Sequence, residues 1–472
     1  MDYDFSTLPD VVWVNVLTRL SLNDRSRVAL LCRRLNDVFN HPSVWHSVSV
    51  VLIGTLPPGR TRTRHPIPRP GVVAPDRYVA MIRRFGAFFQ DVCLTVRGEV
   101  HKLEESCREV LEQLASCRLE ALTLKVGEGT VQRRELSPVA ADALLALVKE
   151  AQRLKVLHVR TWPVDPSCCD LVGCLGDNEK LRRLERLSLF CRDPAEDGWV
   201  PLTTRLPTPD SIASLVDRLS SLTSLSVHSG LLTTKLLHVL CQSRRTRLCT
   251  LGVMVAHKRA PAARNYDATF PRIDDSTWKK LRQSCPSVGV ELTFCNTIPS
   301  WELMSLLSAE LPLKAVTFMR YSSYKPDVLT CLAANYHRTL VKFADYGDAE
   351  YSDKEEELGE MVRRCSGLRC LVTHGAVRPS TVLALASDRG RGWNRFEVGV
   401  RWTLDHDVGE DEVLCVHPDM GSVAIAAHLP GSAFYHDDAS RLEMTDCYQS
   451  LCERVSHCLG YKWRPLNKPS FD

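Results

Sequence analysis

Apolar positions recur along this chain with two periods, one helical and one of short strands. The helical one comes first. Val12, Val16 and Leu20 repeat every four residues with Leu17 beside them, a stripe that predicts an amphipathic helix opening at Leu8-Pro9. Ser21 followed by Asp24 is a capping-box pattern, so a second helix is expected to open near Leu22. Val28, Leu31 and Cys32 fall on one face of it, and Arg25, Arg33 and Arg34 are left for solvent. Leu35, Val38 and Phe39 continue at helical spacing until Pro42 breaks the run, and Trp45 is placed to pack back on it. So few residues bury too little surface to stand alone, and this helical cluster therefore needs a neighbour, either its own chain or a partner.

The strand period dominates the rest of the chain. From Phe89 a motif of an apolar residue, two variable positions, an apolar, one variable and an apolar recurs. It stands at Leu119, Leu154, Leu184, Leu222, Leu248, Leu313, Leu340, Leu368 and Trp393, with starts mostly 25 to 38 residues apart and one interval of 65. The alternation is that of a short strand with one buried face. Helical patterns lie between: Val139 to Leu154, Ile212 to Leu219, Trp278 to Leu281, Trp301 to Leu307, Val328 to Tyr336, and a run at Leu358 that Ser352 and Glu355 are expected to cap. One strand and one helix cannot close a core, so the units must stack. The long interval is expected to hold a poorly matching repeat around Val288 to Phe294 and a loop at Ala256 to Asp274. Tyr448, Leu451, Val455 and Leu459 predict a terminal helix that covers the open end of the stack.

Composition narrows the class. A chain of 472 residues with 44% hydrophobic and 25% charged residues is that of a globular protein. The net charge of +4 is too small to argue for nucleic acid. The Met-Asp-Tyr-Asp start has no signal-peptide apolar core, and no apolar run is long enough to span a bilayer. The 19 scattered cysteines are read as reduced thiols, which places the chain in the cytoplasm or nucleus. Between the helical cluster and the repeats, Arg60, Arg62, Arg64 and Arg69 alternate with Pro66, Pro68 and Pro70, a basic loop or docking segment. Residues 403–472 carry twelve acidic and five basic side chains.

Candidate chemistry is sparse. Cys447, Cys452, His457 and Cys458 match no zinc spacing and suit a helix better. Asp405 to Glu412 lacks the Gly and the terminal Glu of a calcium loop and is read as solvated. The eight acids from Asp345 to Glu360 are read mostly as the outer face of a repeat helix. No phosphate-binding Gly loop or HExxH motif is present, and no nucleophile pair has a local signature. No cofactor or metal is expected.

The opening stretch resembles the F-box at Leu8, Pro9, Val16, Leu17, Leu20, Ser21, Asp24, Cys32, Arg33, Arg34, Pro42, Ser43 and Trp45, departing at Val11 and Leu35. The repeats resemble the leucine-rich repeats that follow F-boxes, including Cys117, Cys285 and Cys365 at helix ends before strands, where that family buries them as small hydrophobes; Gly127, Trp162, Arg192 and Gly230 replace its usual ladder residue. The resemblance implies an α/β chain: a small all-α F-box of three helices over 1–48, a basic Pro-rich linker over 49–80, an irregular leucine-rich-repeat solenoid (horseshoe) of alternating short parallel strands and helices over 81–402, and an acidic capping segment over 403–472. It further implies a non-catalytic substrate receptor of an SCF-type ubiquitin ligase. Leu8, Pro9, Val12, Leu17, Leu20, Leu22 and Leu31 would dock a Skp-type adaptor, which joins the cullin and RING subunits, with Trp45 supporting the helices. The repeats would hold an unknown target protein, with Thr123, His158, Ser188, Ser226 and Thr317 among the outward strand positions. The alternatives are a repeat scaffold without ligase recruitment and an enzyme with a cleft in the irregular middle.

Overall fold

The computed structural model describes residues 8–53, 75–97, 104–128, 136, 138–160, 162–163, 170–189, 207–242, 247–255, 273–295, 300–319, 322–347, 354–400 and 438–465. The chain divides into two compact units, residues 1–251 with 283–287, and residues 252–282 with 288–472.

The first unit opens with three short helices: α1 (Asp10–Arg19), α2 (Leu22–Ala29) and α3 (Arg33–Phe39). Pro9 stands one residue before α1, at its N-cap. The capping box forms as expected. Ser21 caps α2 by accepting from the Asp24 amide at 3.3 Å, and its hydroxyl donates back to the Asp24 carboxylate at 2.7 Å. A 3-10 turn at Pro42–Trp45 then leads directly into a strand, β1 (Ser47–Ile53). This corrects the linker reading of 49–80 at both its ends. β1 takes up its start, and helix α4 (Pro75–Phe85) takes up its end; the Arg/Pro run between them lies outside the described residues.

From β1 the unit alternates strand and helix: β2 (Asp91–Arg97), α5 (Glu104–Ala115), β3 (Ala121–Glu128), α6 (Pro138–Glu150), β4 (Val156–Val159), α7 (Leu171–Asp177), β5 (Arg186–Leu189), α8 (Pro209–Arg218), β6 (Ser224–His228) and α9 (Thr234–Leu240), with β7 (Thr250–Val255) next in the chain. β1 to β6 pair in chain order, every pair parallel. One-to-one register sets Val48, Val92, Leu122, Leu157, Leu187 and Leu225 in a single buried row. That row explains the repeat motif: each unit contributes one buried pair of strand side chains, and stacking makes them continuous.

The second unit continues the pattern: α10 (Asp275–Ser284, the last two residues belonging to the first unit), β8 (Gly289–Phe294), α11 (Ser300–Leu306), β9 (Leu313–Phe318), α12 (Pro326–Asn335), β10 (Lys342–Asp345), α13 (Glu355–Arg364), β11 (Cys370–Val377), α14 (Pro379–Arg389) and β12 (Arg395–Val400). The poorly matching repeat expected at Val288 to Phe294 is β8; the loop expected at 256–274 lies almost wholly outside the described residues. The core row here is aromatic, with Phe294 stacked on Phe318 at 5.0 Å and Phe318 on Tyr324 at 4.1 Å. The cap expected for helix α13, Ser352, lies outside the described residues. The helix has Lys354 at its N-cap, which makes no side-chain capping bond. Glu355 is buried instead. It accepts from the Arg378 amide (3.1 Å), the Arg378 guanidinium (2.9 Å) and the Thr381 hydroxyl (2.5 Å), tying α13 to the start of α14. Asp345 is buried too, accepting from the Gly347 amide, so two of the eight acids read as an outer face are internal.

A last helix, α15 (Asp438–Leu459), packs on α14 with Leu451, Val455 and Leu459 buried. Gly460 ends it at φ 74, a left-handed conformation that favours glycine. The chain then turns so that the Trp463 indole donates to the Phe396 carbonyl at 3.1 Å, beside β12. The terminal cap expected from the Leu451–Val455–Leu459 spacing is therefore present.

Candidate functional site

Two arginines, one buried and one exposed, tie the helical cluster together. Arg25, expected in water, is buried, and its guanidinium donates to the carbonyls of Leu20 (3.1 Å), Val44 (2.8 Å) and Thr18 (2.8 Å). It lies over the Trp45 ring at 5.9 Å, and burial holds its pKa below the ordinary arginine value. One cation thus ties the end of α1, the start of α2 and the turn after α3, satisfying carbonyls that a helix end leaves open. Arg34 does the same at the other end of α1. It pairs with Asp10 at 2.7 Å and donates to the Leu8 carbonyl at 2.5 Å. The α2–α3 corner that holds Leu30 and Leu31 is thereby held beside the start of α1, where Val11 sits.

This corner is apolar and wet. Among the described residues eight large hydrophobic side chains are exposed, and four of them, Val11 (64%), Val16, Leu30 (87%) and Leu31 (73%), lie in this cluster. Single exposed hydrophobes are ordinary, whereas a group on one small domain marks an interaction surface. Of the residues expected to dock an adaptor, Pro9 and Leu31 are exposed, and Leu8, Val12, Leu20 and Leu22 are half-buried. Leu17 is fully buried and Trp45 nearly so. Leu17 is therefore a core residue that supports the surface and does not line it. Leu30 is the most exposed of the group, yet nothing in the sequence singles it out, because an apolar side chain beside Leu31 reads as core. Leu35, in place of the family's usual Trp, is buried.

A family model described as F-box-like matches residues 5–50. The first three helices are an F-box-like domain. Curated relatives extend the likeness over most of the chain. F-box/LRR-repeat protein 21 of Ovis aries is 25% identical over 342 residues, 71% of this chain and 69% of that protein. F-box/LRR-repeat protein 8 of Homo sapiens is 23% identical over 389 residues, 78% of this chain and 90% of that protein. Among solved structures, the TLR13–ssRNA13 complex aligns at TM-score 0.30 and 10% identity over 66% of this chain and 43% of that chain, a score too low to bear on the fold.

Behind the F-box-like domain the sheet of the first unit presents an outward row. Ser49, Cys93, Thr123, His158, Ser188 and Ser226 are cross-strand partners in succession. Four of the positions expected to face outward therefore form one ladder, of which Ser188 is buried at 8% exposure. Thr317, the fifth, lies in the second unit and is only 4% exposed.

Most of the described thiols are half-buried and three are fully buried. Cys107, Cys285 and Cys365 are buried, and the Cys285 thiol donates to the Leu240 carbonyl. Burial pushes the Cys107 thiol up to about 12 and those of Cys117 and Cys365 up to about 11. A nucleophilic cysteine needs the opposite shift. Among the described residues no three His, Cys, Asp or Glu side chains converge as a metal site would need, and no helix is long and apolar enough to cross a membrane. Cys458 sits 3.4 Å from the Ser387 hydroxyl in the α14–α15 packing; the Cys447 side chain and the acidic run 405–412 lie outside the described residues.

Proposed function

We propose that this chain is the substrate-recognition subunit of an SCF-type E3 ubiquitin ligase. The observation that carries the reading is the exposed Val11, Leu30 and Leu31 surface of the F-box-like domain, braced by the Arg34–Asp10 pair. An apolar surface on so small a domain is stabilised by covering it, and a Skp-type adaptor is the partner that the F-box likeness names. The stacked strands supply a second surface for a target protein. In this reading the chain makes no covalent bond itself. It acts by raising the effective concentration of a target lysine near the charged ubiquitin-carrying enzyme. Work in the cytoplasm or nucleus is consistent with thiols that stay reduced.

Co-purification of the full chain with a Skp-type adaptor tests this. Binding that is lost in Leu30→Ser with Leu31→Ser supports the reading. An intact chain that captures no adaptor overturns it.

A further inference from the structure

The turns that lead into the strands of the first unit carry an arginine at one repeating position. Arg118, Arg153, Arg183 and Arg247 each stand directly before the leucine that opens a repeat motif, Leu119, Leu154, Leu184 and Leu248. Between β3 and β7 one turn departs, with Ser221 before Leu222. All four leucines are buried and all four arginines exposed, so each arginine leaves its turn at an equivalent point. Two residues further on, the backbone holds the turns in register. The amides of Lys155, Glu185, Thr223 and Cys249 donate to the carbonyls of Glu120, Lys155, Glu185 and Thr223 in turn, each at 2.8 Å. Adjacent strands lie about 4.8 Å apart, so the arginines form a ridge roughly 20 Å long with a gap at Ser221.

No structural role accounts for the ridge. An arginine beside a helix end commonly donates to the last carbonyls, as Arg389 does in the second unit to Val362 and Ser366, both at 2.7 Å. Among the described residues none of the four ridge side chains makes a hydrogen bond or an ion pair. Nor does the repeat itself require a cation there: the same position in the second unit holds Pro312, Thr339, Gly367 and Gly392. The acids of these turns are largely spent on other cations. Glu120 is bonded to Lys155 at 2.8 Å and Glu179 to Arg182 at 3.1 Å, and Glu185 acts on Lys155 as well. Glu150, exposed at the end of α6, is left to set against four arginines.

We infer that this ridge docks a carboxylate-rich segment of a partner protein. The inference stands whether or not the chain is a ligase receptor. Exposed, unpaired guanidinium groups are matched by carboxylates, which take two parallel N–H donors from each. The edge is mixed in sign, because Glu120 and Glu185 follow two residues behind Arg118 and Arg183. A protein segment can place its acids against the arginines and leave the intervening positions neutral or basic. A nucleic-acid backbone repeats its charge without such gaps, and those glutamates would repel it. The length of the ridge corresponds to about thirteen residues of a helix or about six of an extended chain, which sets the size of the segment.

The test titrates the full chain into a labelled glutamate-rich peptide of about fifteen residues and follows fluorescence anisotropy. A lysine-rich peptide, a neutral one and a single-stranded oligonucleotide of equal charge run beside it. The glutamate peptide is expected to bind best and to be released as salt rises. Arg153→Glu with Arg183→Glu is expected to weaken its binding at least about tenfold, because two attractions become repulsions. Arg19→Glu with Arg77→Glu, the same change of charge at exposed positions of α1 and α4, is expected to leave it unchanged. Thermal unfolding identifies a variant that has lost its fold, and Arg118→Gln with Arg247→Gln, which should weaken binding less, then replaces it. No binding of the glutamate peptide, equal binding of the lysine or neutral one, or equal losses in ridge and control variants overturns the proposal. Tighter binding of the oligonucleotide overturns it in favour of a nucleic-acid partner.

Discussion

The Trp45 indole lies flat on the Phe85 ring, 4.0 Å between centroids and 7° between planes. Phe39 closes the cluster edge-on to both, and the Trp45 N–H is spent on the Phe39 carbonyl at 2.7 Å. Trp45 ends the F-box-like domain and Phe85 ends α4, the first repeat helix, so the two share one core. Phe85→Ala should destabilise the first unit by about 3–5 kcal/mol, the usual loss for a buried aromatic. Urea unfolding followed by indole fluorescence would check it, and Phe85→Leu should recover most of the loss.

Arg25 is the polar counterpart of that joint. Arg25→Ala should cost about 3 kcal/mol, because three carbonyls lose charged donors where water enters poorly. Arg25→Lys should recover little, since an ammonium cannot reproduce the planar fork that spans Leu20, Thr18 and Val44. Thermal unfolding of the three proteins separates these outcomes.

Exposure and burial in the F-box-like domain should separate binding from folding. Leu30→Ser with Leu31→Ser should leave the unfolding midpoint unchanged and weaken adaptor binding at least about tenfold, if each side chain contributes the roughly 1.5–3 kcal/mol of a newly buried leucine. Leu17→Ala should do the reverse in kind, lowering stability by about 2–5 kcal/mol, with any loss of binding following from unfolding. Calorimetric titration with the adaptor beside a melting curve distinguishes the two.

Cys107 gives a pH dependence with a definite sign. Its thiol is raised from 9.0 to about 12 in the folded chain. Between those values the unfolded chain has lost the proton and the folded chain has kept it, so stability is full below pH 9 and falls as pH rises. The slope from this group approaches about 1.4 kcal/mol per pH unit. Cys107→Ala should lower stability at neutral pH and flatten the alkaline slope, which unfolding curves at about pH 8 and 10 would show. Alkylation of native protein should likewise spare Cys107, Cys285 and Cys365.

Much of this is legible in the residues. The Ser21–Asp24 box, the strands after Leu119, Leu154, Leu184 and Leu222, and the covering helix through Leu451 and Val455 are local patterns, and local patterns survive folding. The illegible parts depend on distant partners. Arg25 looks solvated until Val44, nineteen residues away, comes to meet it. β1 is hidden because Val48 and Val50 run into a Pro-rich stretch that masks the strand, and α4 because it stands directly behind that stretch. Glu355 looks like half of a capping box with Ser352, and its real donors, Arg378 and Thr381, lie at the start of the next helix. Leu30 and Leu17 are alike in type and spacing; only assembly decides which one meets water.

The cover over β12 is built from residues 438–465, at the opposite end of the chain from the F-box-like domain. During synthesis the helices of the F-box-like domain can form while the segment that carries Trp463 has not yet left the ribosome. On the receptor reading proposed above, a nascent or prematurely terminated chain could engage a Skp-type adaptor with the far edge of its repeats still raw, and would be a candidate for disposal through that same assembly.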